Sequence, residues 1–187
     1  MRRLDLQPAK KLRNPDRHLR QLARWPDEIL ASLPDAAALA GQRFWNAKVP
    51  VSAKLIEPPH ATPATQRACL AALFAAAQAV EHSPRRAPSC RVAVLAATPF
   101  MFSSEVTVFF DEDYFTTFLP PEAPSRSIFE GGWIEAEAGD PDLLCAILPP
   151  RPAGLEFRGG TRMLQHDPTW QVTPVESFAW VWAFDRR

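Results

Sequence analysis

Residues 91–121 constrain the fold more than any other stretch of this chain. Two runs rich in β-branched and aromatic residues, Val92 to Ala97 and Glu105 to Phe110, flank a connection carrying Pro99. The acidic triplet Asp111, Glu112 and Asp113 closes the second run. Apolar runs of this length between turn residues predict strands covered on both faces, or nearly so. The chain before them reads as helical and the chain after them as further short strands, which places the pair at the centre of one core. The predicted class is α+β: amino-terminal helices on a mostly antiparallel β-sheet, a single pair of layers. At 187 residues and 47% hydrophobic composition the chain can bury a full core. Residues 14–187 therefore read as one domain and residues 1–13, which lack periodicity, as a basic flexible arm.

Helix signals come early. Asn14-Pro15 supplies an N-cap and a proline at the first helical position. The helix beginning there places Leu19, Leu22 and Ala23 on one side, and Pro26 is expected to restart it as a second short helix turning Ile29, Leu30 and Leu33 inward. Thr62-Pro63 is the best helix start in the chain. From there to about His82, Cys69, Leu70, Leu73, Phe74, Ala77 and Val80 recur at helical spacing and predict one buried stripe. A third, short helix is expected after Asp111, because carboxylates suit a helix amino terminus; its face carries Tyr114, Phe115 and Phe118.

The strand signals are of several kinds. Phe44 to Val51 reads as extended, and Pro50, which lacks a ladder donor, marks it as an edge strand. Leu155 to Phe157 and Arg162 to Leu164 flank Gly159-Gly160, a predicted hairpin turn. Phe178 to Phe184 alternates: Phe178, Trp180, Trp182 and Phe184 take one face, Ala179, Val181 and Ala183 the other. So aromatic a strand is expected inside the sheet, with Trp180 and Trp182 on the side of the Leu73/Phe74 stripe, because an open edge of this kind is a template for aggregation.

Formal net charge is zero, so no global field draws the chain to nucleic acid or membrane. Eight basic residues nevertheless fall within residues 1–24, and ten acidic ones within residues 99–145 against the single base Arg126. The basic arm lacks the interleaved aromatics that stack on single strands, so nucleic acid is not an expected partner. No stretch approaches the roughly 20 apolar residues of a membrane span. The amino terminus has charges without an apolar run after them, which argues against a secretory signal. Cys69, Cys90 and Cys145 cannot all pair within one chain and form no Cys-x-x-Cys, which points to reduced thiols in a cytoplasmic setting. The 20 prolines, about twice the average share, predict stiff loops. An Arg-rich, Lys-poor, Ala-rich composition suggests a GC-rich bacterial gene.

Phe44-Trp45-Asn46-x-Lys48-Val49-Pro50-Val51, the Arg67 to Val80 helix, the run Phe109-Phe110-Asp111-Glu112-Asp113-Tyr114-Phe115 and the aromatic carboxy-terminal strand occur in the order of a bacterial family. In these landmarks the chain resembles a domain-of-unknown-function family (number three-nine-one-six), from about Arg17 onward. The terminal strand departs from that family's Trp-Trp pair, since Val181 separates the tryptophans here. The resemblance implies no activity, so no residue acquires a role from it.

No catalytic constellation is complete. The chain has no Gly-x-Ser-x-Gly elbow, no His-Glu-x-x-His and no phosphate-cradling Gly-rich loop. His60-Ala61-Thr62 matches half of a paired His-x-Thr signature, but His18, His82 and His166 have no Ser or Thr two positions on, and Thr62 serves more simply as an N-cap. The acidic run Asp111, Glu112 and Asp113, with Glu105, offers carboxylates to a hard cation; capping by Asp111 and Asp113 is the reading preferred, and no metal or cofactor is expected. Cys69 belongs to a buried stripe, where an inert core cysteine is expected; Cys90, beside Arg91, is the one thiol whose surroundings could lower its pKa, and a half-buried structural cysteine is the reading preferred there. Phe100, Met101 and Phe102 are consecutive large apolar residues in a Pro-marked connection, the best sequence hint of a partner surface, with folding under as a local plug the rival reading; Glu112 of the acidic run joins them as an expected binding residue. The expected function is a non-catalytic cytoplasmic protein that binds another macromolecule, a protein partner, for example an immunity or antitoxin-like inhibitor of a toxic bacterial enzyme. The alternative is a small hydrolase or nucleotide-processing enzyme using His60 with Glu105, Asp111 and Asp113 as acid/base groups.

Overall fold

The structure, a computed structural model, describes residues 15–35, 38, 41–50, 62–98, 104–118, 133–138, 147–165 and 176–184. Helix α1 (Pro15–Ser32) comes first, then strand β1 (Phe44–Lys48), helix α2 (Pro63–Glu81), strands β2 (Arg91–Thr98) and β3 (Glu105–Phe109), and helix α3 (Glu112–Phe118). Strands β4 (Trp133–Ala138), β5 (Leu155–Gln165) and β6 (Glu176–Phe184) complete the chain. The strands form one six-stranded sheet in the order β1-β3-β2-β6-β5-β4. Every pairing in it is antiparallel. The class is α+β, as the residue patterns predict.

Alternation along the central strands divides the core in two. Val92, Val94, Ala96, Val106, Val108, Trp180, Trp182 and Phe184 lie on the face that meets α2, with α1 packed in turn on α2. Ala93, Leu95, Phe109, Val181 and Ala183 lie on the opposite face, where Phe115 of α3 joins them. The α2 stripe is buried at every predicted position and more widely than a sheet alone requires, taking in Ala72 and Ala76, because α1 covers it as well. Thr62 opens α2 with a reciprocal cap: its Oγ1 accepts from the Thr65 N–H at 3.2 Å, and its own N–H donates to Thr65 Oγ1 at 2.9 Å.

The sheet confirms two placements. β1 is an edge strand, and β6 lies in the interior, registering Val94 with Trp182 and Ala96 with Trp180 on one side and Phe157 with Trp182 on the other. Both indoles are fully buried on the α2 face.

Three local expectations fail. Pro26 does not restart α1 but lies within one continuous helix. The missing proline donor costs one intrahelical bond, while a single stripe of Leu22, Trp25, Ile29 and Leu33 runs past it and stays buried on both sides. That stripe also leaves Leu19 and Ala23 exposed, against the sequence reading. Gly159-Gly160 does not turn the chain either: β5 runs through it, with a register shift between Phe157 and Gly159. The two flanking runs pair with β6 rather than with each other, and Gly160 registers with Trp180, so the smallest residue stands opposite one of the largest.

Candidate functional site

Two places on the described surface gather side chains that can recognise something. The first lies where β1 meets the start of α3. Asp111 caps that helix, its Oδ1 accepting from the backbone N–H groups of Asp113 at 2.9 Å and Tyr114 at 3.1 Å. The cap fixes Tyr114 against the β1 edge, where its ring stacks on Phe44 with centroids 5.8 Å apart and planes 11° from parallel. The Arg43 guanidinium carbon lies 5.4 Å from the Tyr114 centroid, within cation–π range. Phe109 lies beneath, 6.5 Å from Phe44 and 6.2 Å from Tyr114. Phe44 remains 39% exposed, one of three large apolar side chains that are exposed among the described residues. The result is a rigid aromatic platform topped by Arg43 and rimmed by Asp111 and Asp113.

The second place is a cleft of about 460 Å³ at the end of the sheet, lined by Gln78, Glu81, His82, Arg86, Cys90, Arg91 and Phe184 among others. Its charged groups are committed to the protein. Arg86 donates to the carbonyls of Glu81 at 3.0 Å and Cys90 at 2.7 Å and pairs with Glu81 Oε1 at 3.0 Å, pinning the turn between α2 and β2. Arg91 donates to the Phe184 carbonyl at 3.1 Å, pairs with Glu112 at 3.2 Å and covers the Phe115 ring at 4.4 Å. His82 Nδ1 lies 2.8 Å from the Gln78 carbonyl, an acceptor only, so that nitrogen carries the proton. Burial holds the Glu81 carboxyl above its ordinary value, against the opposing pull of Arg86, His82 and Arg91.

Neither thiol is activated. Burial raises Cys90 despite Arg86 nearby, so its surroundings do not activate it. Burial pushes Cys69 up to about 12, as suits a residue on the core stripe.

A family model described as "Protein of unknown function (DUF3916)" matches residues 23–170. The chain belongs to this family. The DUF3916 match takes in the whole platform, Arg43, Phe44, Phe109 and Tyr114, and every named residue of the cleft except Phe184; it stops short of β6. No curated protein and no solved structure matches the chain.

Within this DUF3916 domain the residues singled out from sequence fare unequally. Glu105 is at the start of β3, where it accepts from Asn46 Nδ2 at 3.0 Å and Thr107 Oγ1 at 3.2 Å. Asp111 and Asp113 come after the far end of the same strand, whose length alone puts ~13 Å between Glu105 and Phe109 at ~3.3 Å per residue. The carboxylates therefore serve separate local structures. Among the described residues no group of three or more His, Cys, Asp or Glu is placed to hold a metal ion. Glu112 is the ion-pair partner of Arg91. His60, Phe100, Met101, Phe102 and Cys145 lie outside the described residues, as does the basic arm at 1–13. No helix among the described residues is long and apolar enough to cross a membrane. Arg43 and the Phe44–Tyr114 stack escaped the sequence reading because they depend on the β1–β3 register. The alternation of apolar Trp45 and Ala47 with polar Asn46 and Lys48, which puts Phe44 on the outward side, was the signal available.

Proposed function

We propose that this protein works in the cytoplasm by binding a protein partner rather than by catalysis. The observation that carries the reading is the Phe44–Tyr114 stack under Arg43. Aromatic residues and arginine are the types most enriched where protein interfaces concentrate their binding energy. A platform held by a helix cap and a strand pairing also loses little freedom on binding. The internal pairing of Arg86 and Arg91 favours the same reading, since these cations support the fold instead of converging on a reacting atom. In its finer form the partner is a toxic bacterial enzyme and this chain its immunity or antitoxin-like inhibitor, the carboxylates at the start of α3 meeting a basic surface on the enzyme.

The test is co-expression with the toxic enzyme or secretion effector encoded beside its gene. Expected are protection of growth and a stable complex of the purified pair, with Phe44→Ala or Tyr114→Ala weakening affinity at least tenfold while the melting behaviour is retained. A metabolic operon as the gene's setting, together with platform variants that leave every measured affinity unchanged, would count decisively against it.

A further inference from the structure

The outer edge of β1 carries a pattern that is complementary to itself. Phe110 N–H donates to the Arg43 carbonyl and Val49 N–H to the Ser104 carbonyl, both at 2.9 Å. With Phe44 registered on Phe109 and Lys48 on Glu105, residues 43, 45, 47 and 49 direct their backbone groups towards β3. Phe44, Asn46 and Lys48 therefore direct theirs outward, and among the described residues no strand pairs with that edge. The same three residues are the exposed ones, on the α3 side of the sheet, whereas Trp45 and Ala47 pack towards the α2 core.

The geometry points to a second copy of this chain as the occupant of that edge, paired antiparallel about a two-fold axis at Asn46. In this register Phe44 stands opposite Lys48 of the second copy, Asn46 opposite its counterpart, and Trp45 opposite Ala47. Every outward N–H and C=O of the three residues then finds a partner. A shift of two residues towards the carboxy terminus brings in Pro50, which has no donor. A shift the other way leaves the groups of Lys48 beyond the pairing.

The side chains agree with this register. Residues opposite one another in a hydrogen-bonded pair have Cα atoms about 5.5 Å apart, so the second copy's Lys48 ammonium lies beside the Phe44 ring. That is the end of β1 that adjoins Asp111 and Asp113, so a cation meets an aromatic face and an acidic helix start. On the other face a large residue meets a small one. At the axis Asn46 spends one amide N–H on Glu105 and keeps its carbonyl oxygen and second N–H for its counterpart. A lysine and a proline just beyond it ordinarily guard an edge against open-ended addition; here they permit one matched strand, and the two-fold closes the assembly. The two sheets become one, with both aromatic platforms on the same face. Because the contact is short, the pairing is expected in the micromolar range. It goes beyond the proposed function: the pairing rests on the β1 backbone edge and needs no unlike partner, although Lys48 of the second copy and such a partner would meet the same Phe44 ring.

Sedimentation equilibrium of the full chain from about 1 to several hundred micromolar tests it. The mass should move from 20.9 kDa towards twice that value, and Asn46→Pro, which removes an outward donor while sparing the β3 ladder, should shift the midpoint at least tenfold higher with an unchanged melt. Asn46→Cys should give a covalent dimer on mild oxidation, since Cα atoms about 5.5 Å apart suit a disulfide, whereas cysteine at exposed Leu19 should not. A chain that stays monomeric throughout, with no cross-link through position 46, overturns the inference. So does a dimer that is indifferent to Asn46→Pro.

Discussion

The ring of Phe74 on α2 meets that of Trp182 on β6 edge to face, with centroids 5.1 Å apart and planes at 74°. Both side chains are essentially inaccessible to solvent, so this contact joins the central helix to an interior strand. Phe74→Ala removes the ring and leaves a cavity that close-packed neighbours fill only in part. The expected loss is ~3–5 kcal/mol, read as a fall in melting temperature of roughly 10 °C for a chain of this size. A melt matching the parent would mean that the ring contributes nothing to the packing.

Deleting the chain from Phe178 onward should abolish the fold rather than trim it. β6 bridges β2 and β5, so its loss separates the β1-β3-β2 sheet from β5-β4 and uncovers α2. The truncated chain is expected to be insoluble, or to bind a hydrophobic dye and melt without cooperativity. Cooperative melting near the parent temperature would show that β6 is dispensable.

Arg91 ties three elements at one point through the Phe184 carbonyl, the Glu112 carboxylate and the Phe115 ring. A lysine cannot divide a planar fork between a carbonyl and a carboxylate while lying over a ring. Arg91→Lys should therefore cost about 1–3 kcal/mol in chemical denaturation. Glu112→Gln should cost less, because that carboxylate is partly exposed and screened. Equal losses from the two would place the main contribution of Arg91 in the ion pair instead of in the carbonyl and ring contacts.

The layer arrangement was legible because its signals are periodic and local. The Cys69–Val80 stripe, the alternating Trp180 and Trp182 and the proline after β1 each state a face or an edge without reference to distant residues. What escaped depends on register. Whether Gly159-Gly160 turns the chain is decided by which strand claims its flanks, and β6 lies more than ten residues further on. Pro26 misled for a related reason: the rule against proline in helices weighs one hydrogen bond, while burial of Trp25 and Ile29 on either side is a tertiary gain. The platform, too, exists only because Phe44 registers on Phe109.

The cleft gives a pH signature tied to one group. Burial raises the folded-state pKa of Glu81 above its ordinary 4.5, so the folded protein binds this proton more tightly than the unfolded chain does. The corresponding stability is fully present below the unfolded value and is lost as pH rises through the folded one. Glu81→Gln keeps the shape of the protonated side chain but does not titrate. Relative to the parent, the variant should therefore gain stability as pH rises from about 4 through the raised value, then level off. The pairing of Arg86 with Glu81 Oε1 opposes the trend by lowering the pKa, but burial outweighs it. Denaturant midpoints of both proteins, measured in parallel from about pH 4 to 8 at fixed ionic strength, check the sign. A variant that instead loses ground as pH rises would show that the ion pair with Arg86 dominates and that the carboxylate is held below its ordinary value.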